Sequence, residues 1–78
     1  MMISTENLIQ KVMVHDIDNW IKETKSLRYQ NSWDSFKRNI QDGDQIWSYS
    51  LKENRNASQG YCILRNGKIT NAFETARQ

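Results

Sequence analysis

Apolar residues recur at spacings of three and four near the start of the chain: Leu8, Ile9, Val12, Met13, Ile17, Trp20 and Ile21. That period is one face of an α-helix, and Ser4 or Thr5 suits its N-cap. A second reading interrupts the stripe. Lys11 to His15 alternates apolar and polar, as a strand does, and Asp16 then caps a fresh helix over about 16–25 that carries Ile17, Trp20 and Ile21. The two β-branched valines around Met13 favour the break, which adds a strand near 11–15. Tyr29 to Ser32 reads as a connector. A helix is predicted over about 32–42, with Asn31 or Ser32 as N-cap and Asp34 in the first turn, where the helix dipole favours an acid. Trp33, Phe36 and Ile40 share one face of it, and Gly43 is its stop.

From Gly43 the period changes to two. Gln45–Leu51 predicts a strand with Trp47, Tyr49 and Leu51 on one face and Ile46, Ser48 and Ser50 on the other. Lys52–Gln59 contains no strand former and reads as a polar loop. Two further strands, about 60–65 and 68–73, are joined by Asn66-Gly67, a strong signal for a two-residue hairpin. Counting back from that turn pairs Arg65 with Lys68, Leu64 with Ile69, Ile63 with Thr70 and Cys62 with Asn71. Cys62, Leu64 and Ile69 then share one face, and Tyr61, Ile63, Thr70 and Ala72 the other. Both faces are partly apolar and one of them takes the helices; if that is the Cys62, Leu64 and Ile69 face, the Tyr61, Ile63 and Arg65 side is left for a partner. Glu74–Gln78 are expected to fray. The chain is thus predicted to be a single α+β domain over 1–78, with its N-terminal helices packed on a three-stranded antiparallel meander and the segment near 11–15 as a candidate fourth strand.

Size limits what this domain can do. Seventy-eight residues bury a small core, although three Trp, three Tyr and two Phe each bring a large apolar area. A single cysteine and the lack of a signal-peptide pattern point to a reducing, cytoplasmic setting. No apolar run approaches the roughly 20 residues of a membrane span, so no membrane partner is expected. The net charge of +2 is too small to name a polyanionic partner. It is unevenly spread. Residues 1–24 set Lys11 and Lys22 against Glu6, Asp16, Asp18 and Glu23, a net −2, while 45–78 set Lys52, Arg55, Arg65, Lys68 and Arg77 against Glu53 and Glu74, a net +3.

No constellation demands a reaction. His15-Asp16-x-Asp18 resembles a metal motif, but His15 is the only histidine and a zinc site needs three or four nitrogen or sulfur ligands. Cys62, in mid-strand, reads as a buried and inert thiol. Asp44 reads as closing the turn after Gly43, and Trp47 as core. Arg65 and Lys68 are directly opposed like charges, a mildly destabilising arrangement that suggests an anionic partner, with Arg55 and Lys52 of the neighbouring loop joining them. No catalytic, metal or cofactor site is expected.

The block GD-x-IW, an aromatic two residues on, a polar loop and GY-x-I-x-R-x-GK-I resembles a group of small, mostly uncharacterised bacterial proteins. They share a Trp-containing helix, a GDE-x-W strand and a GY…R-x-G hairpin. The matching positions are Trp33, Gly43, Asp44, Ile46, Trp47, Tyr49, Gly60, Tyr61, Arg65, Gly67 and Lys68, roughly half the chain. Gln45 stands where the pattern has Glu, and 52–59 lacks the group's Ser-Pro and Trp. The resemblance supports the fold and implies no activity. The function expected is a non-catalytic protein-binding or regulatory module, with Arg55, Tyr61, Ile63, Arg65 and Lys68 as candidate contacts. Homodimerisation is one remedy for the small core. The alternatives are a nucleic-acid-binding module using the basic β half and, last, a small enzyme or enzyme subunit.

Overall fold

The computed structural model describes residues 3–77. A single 3₁₀ turn, Thr5–Asn7, leads into β1 (Leu8–Val12), then α1 (Val14–Thr24), α2 (Leu27–Lys37), β2 (Gln45–Glu53), β3 (Asn56–Arg65) and β4 (Lys68–Arg77). The strands form one antiparallel sheet in the order β1-β2-β3-β4. The fold is α+β, with two helices on one face of a four-stranded sheet.

The break in the N-terminal stripe is real, but the strand lies at 8–12 rather than 11–15, because pairing runs from Leu8 opposite Tyr49 to Val12 opposite Ile46. Met13 is the N-cap of α1 in an extended conformation, without a side-chain cap bond, and Asp16 lies in the first turn. The second helix starts about five residues earlier than its polar flank suggests. Lys25 turns the chain in the left-handed region (φ 54°), and Ser26 caps α2, its hydroxyl accepting the Tyr29 amide at 3.3 Å. Asn31 and Ser32 are exposed positions on the first turns of this helix. The helix ends at Lys37, so Gly43 (φ 88°) serves the turn before β2 instead of the helix stop.

The 52–59 segment is a second hairpin. β2 and β3 stay paired from Gln45 opposite Leu64 out to Glu53 opposite Asn56, turning at Asn54 and Arg55 with Asn54 in the left-handed region. Backbone pairing carries the polar strands there, and the buried Ser58 adds side-chain hydrogen bonds with Tyr49 and Glu74. At the other end of β3, Asn66 and Gly67 both have positive φ, as a two-residue type I′ hairpin requires.

Simple counting fails at Thr70. Arg65 faces Lys68 and Leu64 faces Ile69, but Ile63 then faces Asn71 and Cys62 faces Ala72. Thr70 is the extra residue of a bulge, which transfers Phe73 to the same face as Tyr61. A second bulge lies between Gly60–Glu74 and Gln59–Ala76, and a third skips Ile9 in β1. At the second, any side chain on Gly60 would collide with the Phe73 carbonyl oxygen. β4 stays paired out to Arg77, beyond the point where fraying was expected, and Gln78 lies outside the described residues.

Of the two partly apolar sheet faces, the helices take the one that carries Tyr61 and Ile63, not the Cys62 face. Ile46, Ile63 and Phe73 pack beneath Ile17 and Ile21 of α1 and Trp33 and Phe36 of α2. Aromatic volume decides this: Trp33 stacks on Phe36 (centroids 5.4 Å apart) and meets the edge of Phe73 at 5.8 Å. The indole N–H of the buried Trp33 donates to Asp18 at 2.6 Å, and Lys37 donates to the same carboxylate oxygen at 3.0 Å. One carboxylate thus ties α1 to α2.

Candidate functional site

The five candidate contact residues do not form one surface. Ile63 is fully buried in the core, and Tyr61 is half-buried against it. Arg65 is occupied: its Nε and Nη2 donate to the two carboxylate oxygens of Asp44 at 2.9 and 2.8 Å, and Nη2 also donates to the Asn39 carbonyl at 2.9 Å. The repulsion expected between Arg65 and Lys68 is therefore offset by Asp44, inside the fold. Lys68 is exposed at one end of β3, and Arg55 is exposed at the other. A ten-residue strand separates them, about 30 Å at the usual rise. Lys52 and Arg55 therefore lie away from the basic hairpin tip.

The remaining sequence candidates are likewise structural. Asp44 accepts the Gln41 amide at 2.8 Å as well as Arg65 and has almost no exposed side-chain surface; Arg65 first, then that amide, hold its pKa down at about 2. Asp18 is also lowered, mainly by the Trp33 N–H. Cys62 is fully buried, and desolvation pushes its thiol up to about 11, which leaves it protonated and unreactive. His15 is exposed on α1. Among the described residues no group of three or more His, Cys, Asp or Glu is placed to hold a metal ion. None of the described helices is long and apolar enough to cross a membrane.

Two surfaces remain. The first is the sheet face away from the helices. Trp47 sits between Lys11 and Cys62, and Leu64 lies between Gln45 and Ile69. Trp47, Leu51, Leu64 and Ile69 are half-buried, and Lys11 is exposed. The Trp47 indole N–H donates to Gln45 along its own strand at 3.0 Å, so its ring lies on the face without an unmet polar group. Toward one end, the buried Tyr49 lies opposite Gly60, its hydroxyl 2.9 Å from that of Ser58, which donates to Glu74 at 2.6 Å. Burial raises the Tyr49 pKa, and the Ser58 bond lowers that of Glu74. The 3₁₀ turn touches β2.

The second surface is a groove of about 670 Å³ between α2 and β4. Tyr29, Phe36 and Phe73 contribute its aromatic floor, and the Tyr29 hydroxyl donates to the Thr75 carbonyl at 2.8 Å, bridging the two walls. On the strand side, the Glu74 and Arg77 side chains turn to the opposite sheet face, where they pair at 3.1 Å beside Ser58, and Arg28 stands on the helix side of the groove. The sequence hid this groove because its helical wall begins at Leu27, inside a stretch that reads as a connector, and because the Thr70 bulge places Phe73 in it.

Comparison of the chain with protein-family models, with curated proteins and with solved structures gives no match.

Proposed function

We propose that this chain is a non-catalytic protein-binding module, working in a reducing, cytoplasmic setting, whose contact surface is the sheet face opposite the helices. One observation carries the reading. Trp47, Leu64 and Ile69 form an apolar group with water-accessible surface on a face that the helices leave open. Aromatic and aliphatic side chains held rigidly on a sheet are the usual anchors of protein interfaces, and they lose little conformational freedom on binding. The alternative of nucleic-acid binding has less support, because Arg65 is committed to Asp44 and the other basic residues are dispersed.

The test is affinity capture from the source cell with the native chain and with Leu64→Glu and Ile69→Glu, each checked for a native circular-dichroism spectrum. The reading expects a protein held by the native chain and by a Lys52→Glu control and lost by both sheet-face variants. Equal capture by all four chains would discard it. A salt-dependent gel shift of single-stranded DNA or RNA, weakened by Lys68→Ala, would favour the nucleic-acid alternative.

A further inference from the structure

We infer that the groove between α2 and β4 takes a short, extended, acidic peptide segment of another protein, which adds as a strand to the β4 edge. This goes beyond the sheet-face reading and uses a different surface. The sheet order leaves β4 without a neighbour on one side, so those of its N–H and C=O groups that turn away from β3 have no strand beyond them. Unpaired edge groups are the template for strand addition, and a helix alongside the edge makes a channel in which an extended backbone lies. Here Tyr29, Phe36 and Phe73 contribute to the channel's floor, and its volume of about 670 Å³ is in the range of ligand-binding sites.

The bulges set the length of the occupant. Only Asn71–Glu74 is regular, between the bulges at Thr70 and Thr75, and the Thr75 carbonyl is already taken by Tyr29. So short a window suits a short linear segment. It works against a second copy pairing along the whole of β4, since bulges blunt edge-to-edge association.

Charge sets the chemistry. Glu74 and Arg77 pair with each other on the opposite sheet face, beside Ser58, and Arg28, on the helix side of the groove, forms no ion pair with any described residue. Arg28 is also misplaced by local rules. It occupies the first turn of α2, a turn with no acid, where the helix dipole disfavours a cation. Functional sites are among the places where a protein breaks a local rule without a compensating contact. The helical positions facing β4 continue from it at helical spacing as Ser32 and Ser35, with small hydroxyls that leave room for a backbone. A carboxylate side chain on the incoming segment would meet Arg28.

The experiment uses the isotope-labelled full chain and four capped hexapeptides followed by amide NMR: Val-Thr-Val-Glu-Val-Thr, the same sequence with Lys for Glu, and two forms of the Glu peptide, each N-methylated at alternate residues along one of its two edges. The Glu peptide should shift and slow the exchange of amides within Asn71–Glu74 and shift those of Arg28 and Ser32. The Lys peptide should bind about two- to fivefold more weakly, the range of one exposed ion pair. Arg28→Glu should reverse that preference, and methylation on the edge facing β4 should abolish binding. No change at β4 with the Glu peptide at millimolar concentration, equal binding of both edge-methylated forms and the parent, or perturbation confined to Trp47, Leu64 and Ile69 would overturn the inference. So would β4 shifts that depend on protein concentration without peptide, because the occupant would then be a second copy.

Discussion

Asp44 and Arg65 show how one side chain can answer a question that composition leaves open. The sequence presents Arg65 opposite Lys68 as uncompensated charge; the fold brings Asp44 across from another element to meet it at two points. The pair has a pH signature. The Asp44 pKa is depressed from 3.8 to about 2 in the folded state, so the stabilisation it carries is fully present above about pH 4 and is lost as the pH falls toward 2. Urea midpoints measured between pH 5 and pH 2 should fall through that window, and Asp44→Asn should lower the midpoint at neutral pH while flattening the acid limb. Cys62 gives a second test at a single atom. Buried and held near pKa 11, its thiol should resist a disulfide reagent at pH 8 in the native protein and react at once in denaturant. Rapid native reaction would mean that β3 is open to solvent at its centre.

Among the elements, β4 and α2 carry most of what residue patterns concealed. The hydrophobic periods located α1 and all three strands of the meander, and the alternation in β2 sorted Trp47 and Tyr49 from Ile46 correctly. The period could not reveal that Thr70 is skipped, because a bulge changes the count without changing the composition. Which face takes the helices turns on that one residue, since Phe73 is core only when Thr70 is extra. Deleting Thr70 should therefore be far worse than substituting it. The deletion sends Phe73 to the opposite face, and loss of a buried Phe costs about 3–5 kcal/mol, enough to unfold a domain this small. Thr70→Ala, at an exposed position, should shift stability by no more than about 0.5 kcal/mol in urea titrations. For α2, Arg28→Glu replaces a cation with an acid in the first turn and should raise stability by about 0.3–1 kcal/mol, read as a higher melting temperature. Gain of stability with loss of acidic-peptide binding would be the expected trade-off at a binding position.

For the molecule as a whole, the fold class is legible in the sequence and the connections between strands are not. An α+β domain followed from the change of period at Gly43, but the role of β1 as a partner of β2 depends on a non-local pairing that five residues cannot announce. The polar 52–59 hairpin was hidden for a related reason: Ser58 is buried by contact with Tyr49 and Glu74, a polar residue serving as interior. The candidate surfaces are assembled in the same non-local way. The open face draws Trp47 from β2, Leu64 from β3 and Ile69 from β4, and the groove sets a helix against an edge, so neither is visible as a motif within one segment.

The strand order also fixes how the domain bears load. Leu8 faces Tyr49, Tyr49 faces Gly60, and Gly60 faces Glu74, so the start of β1 and the end of β4 lie at the same end of the sheet, on opposite margins. Three strand spacings, about 14 Å, separate them. Tension between Leu8 and Arg77 therefore acts across the strands and opens hydrogen bonds one after another, as a zipper does, instead of shearing a whole ladder together. Pulled by its ends in an optical trap, the domain should yield at low force and should peel from a margin, with β2 and β3, each paired on both sides, the last two strands to part.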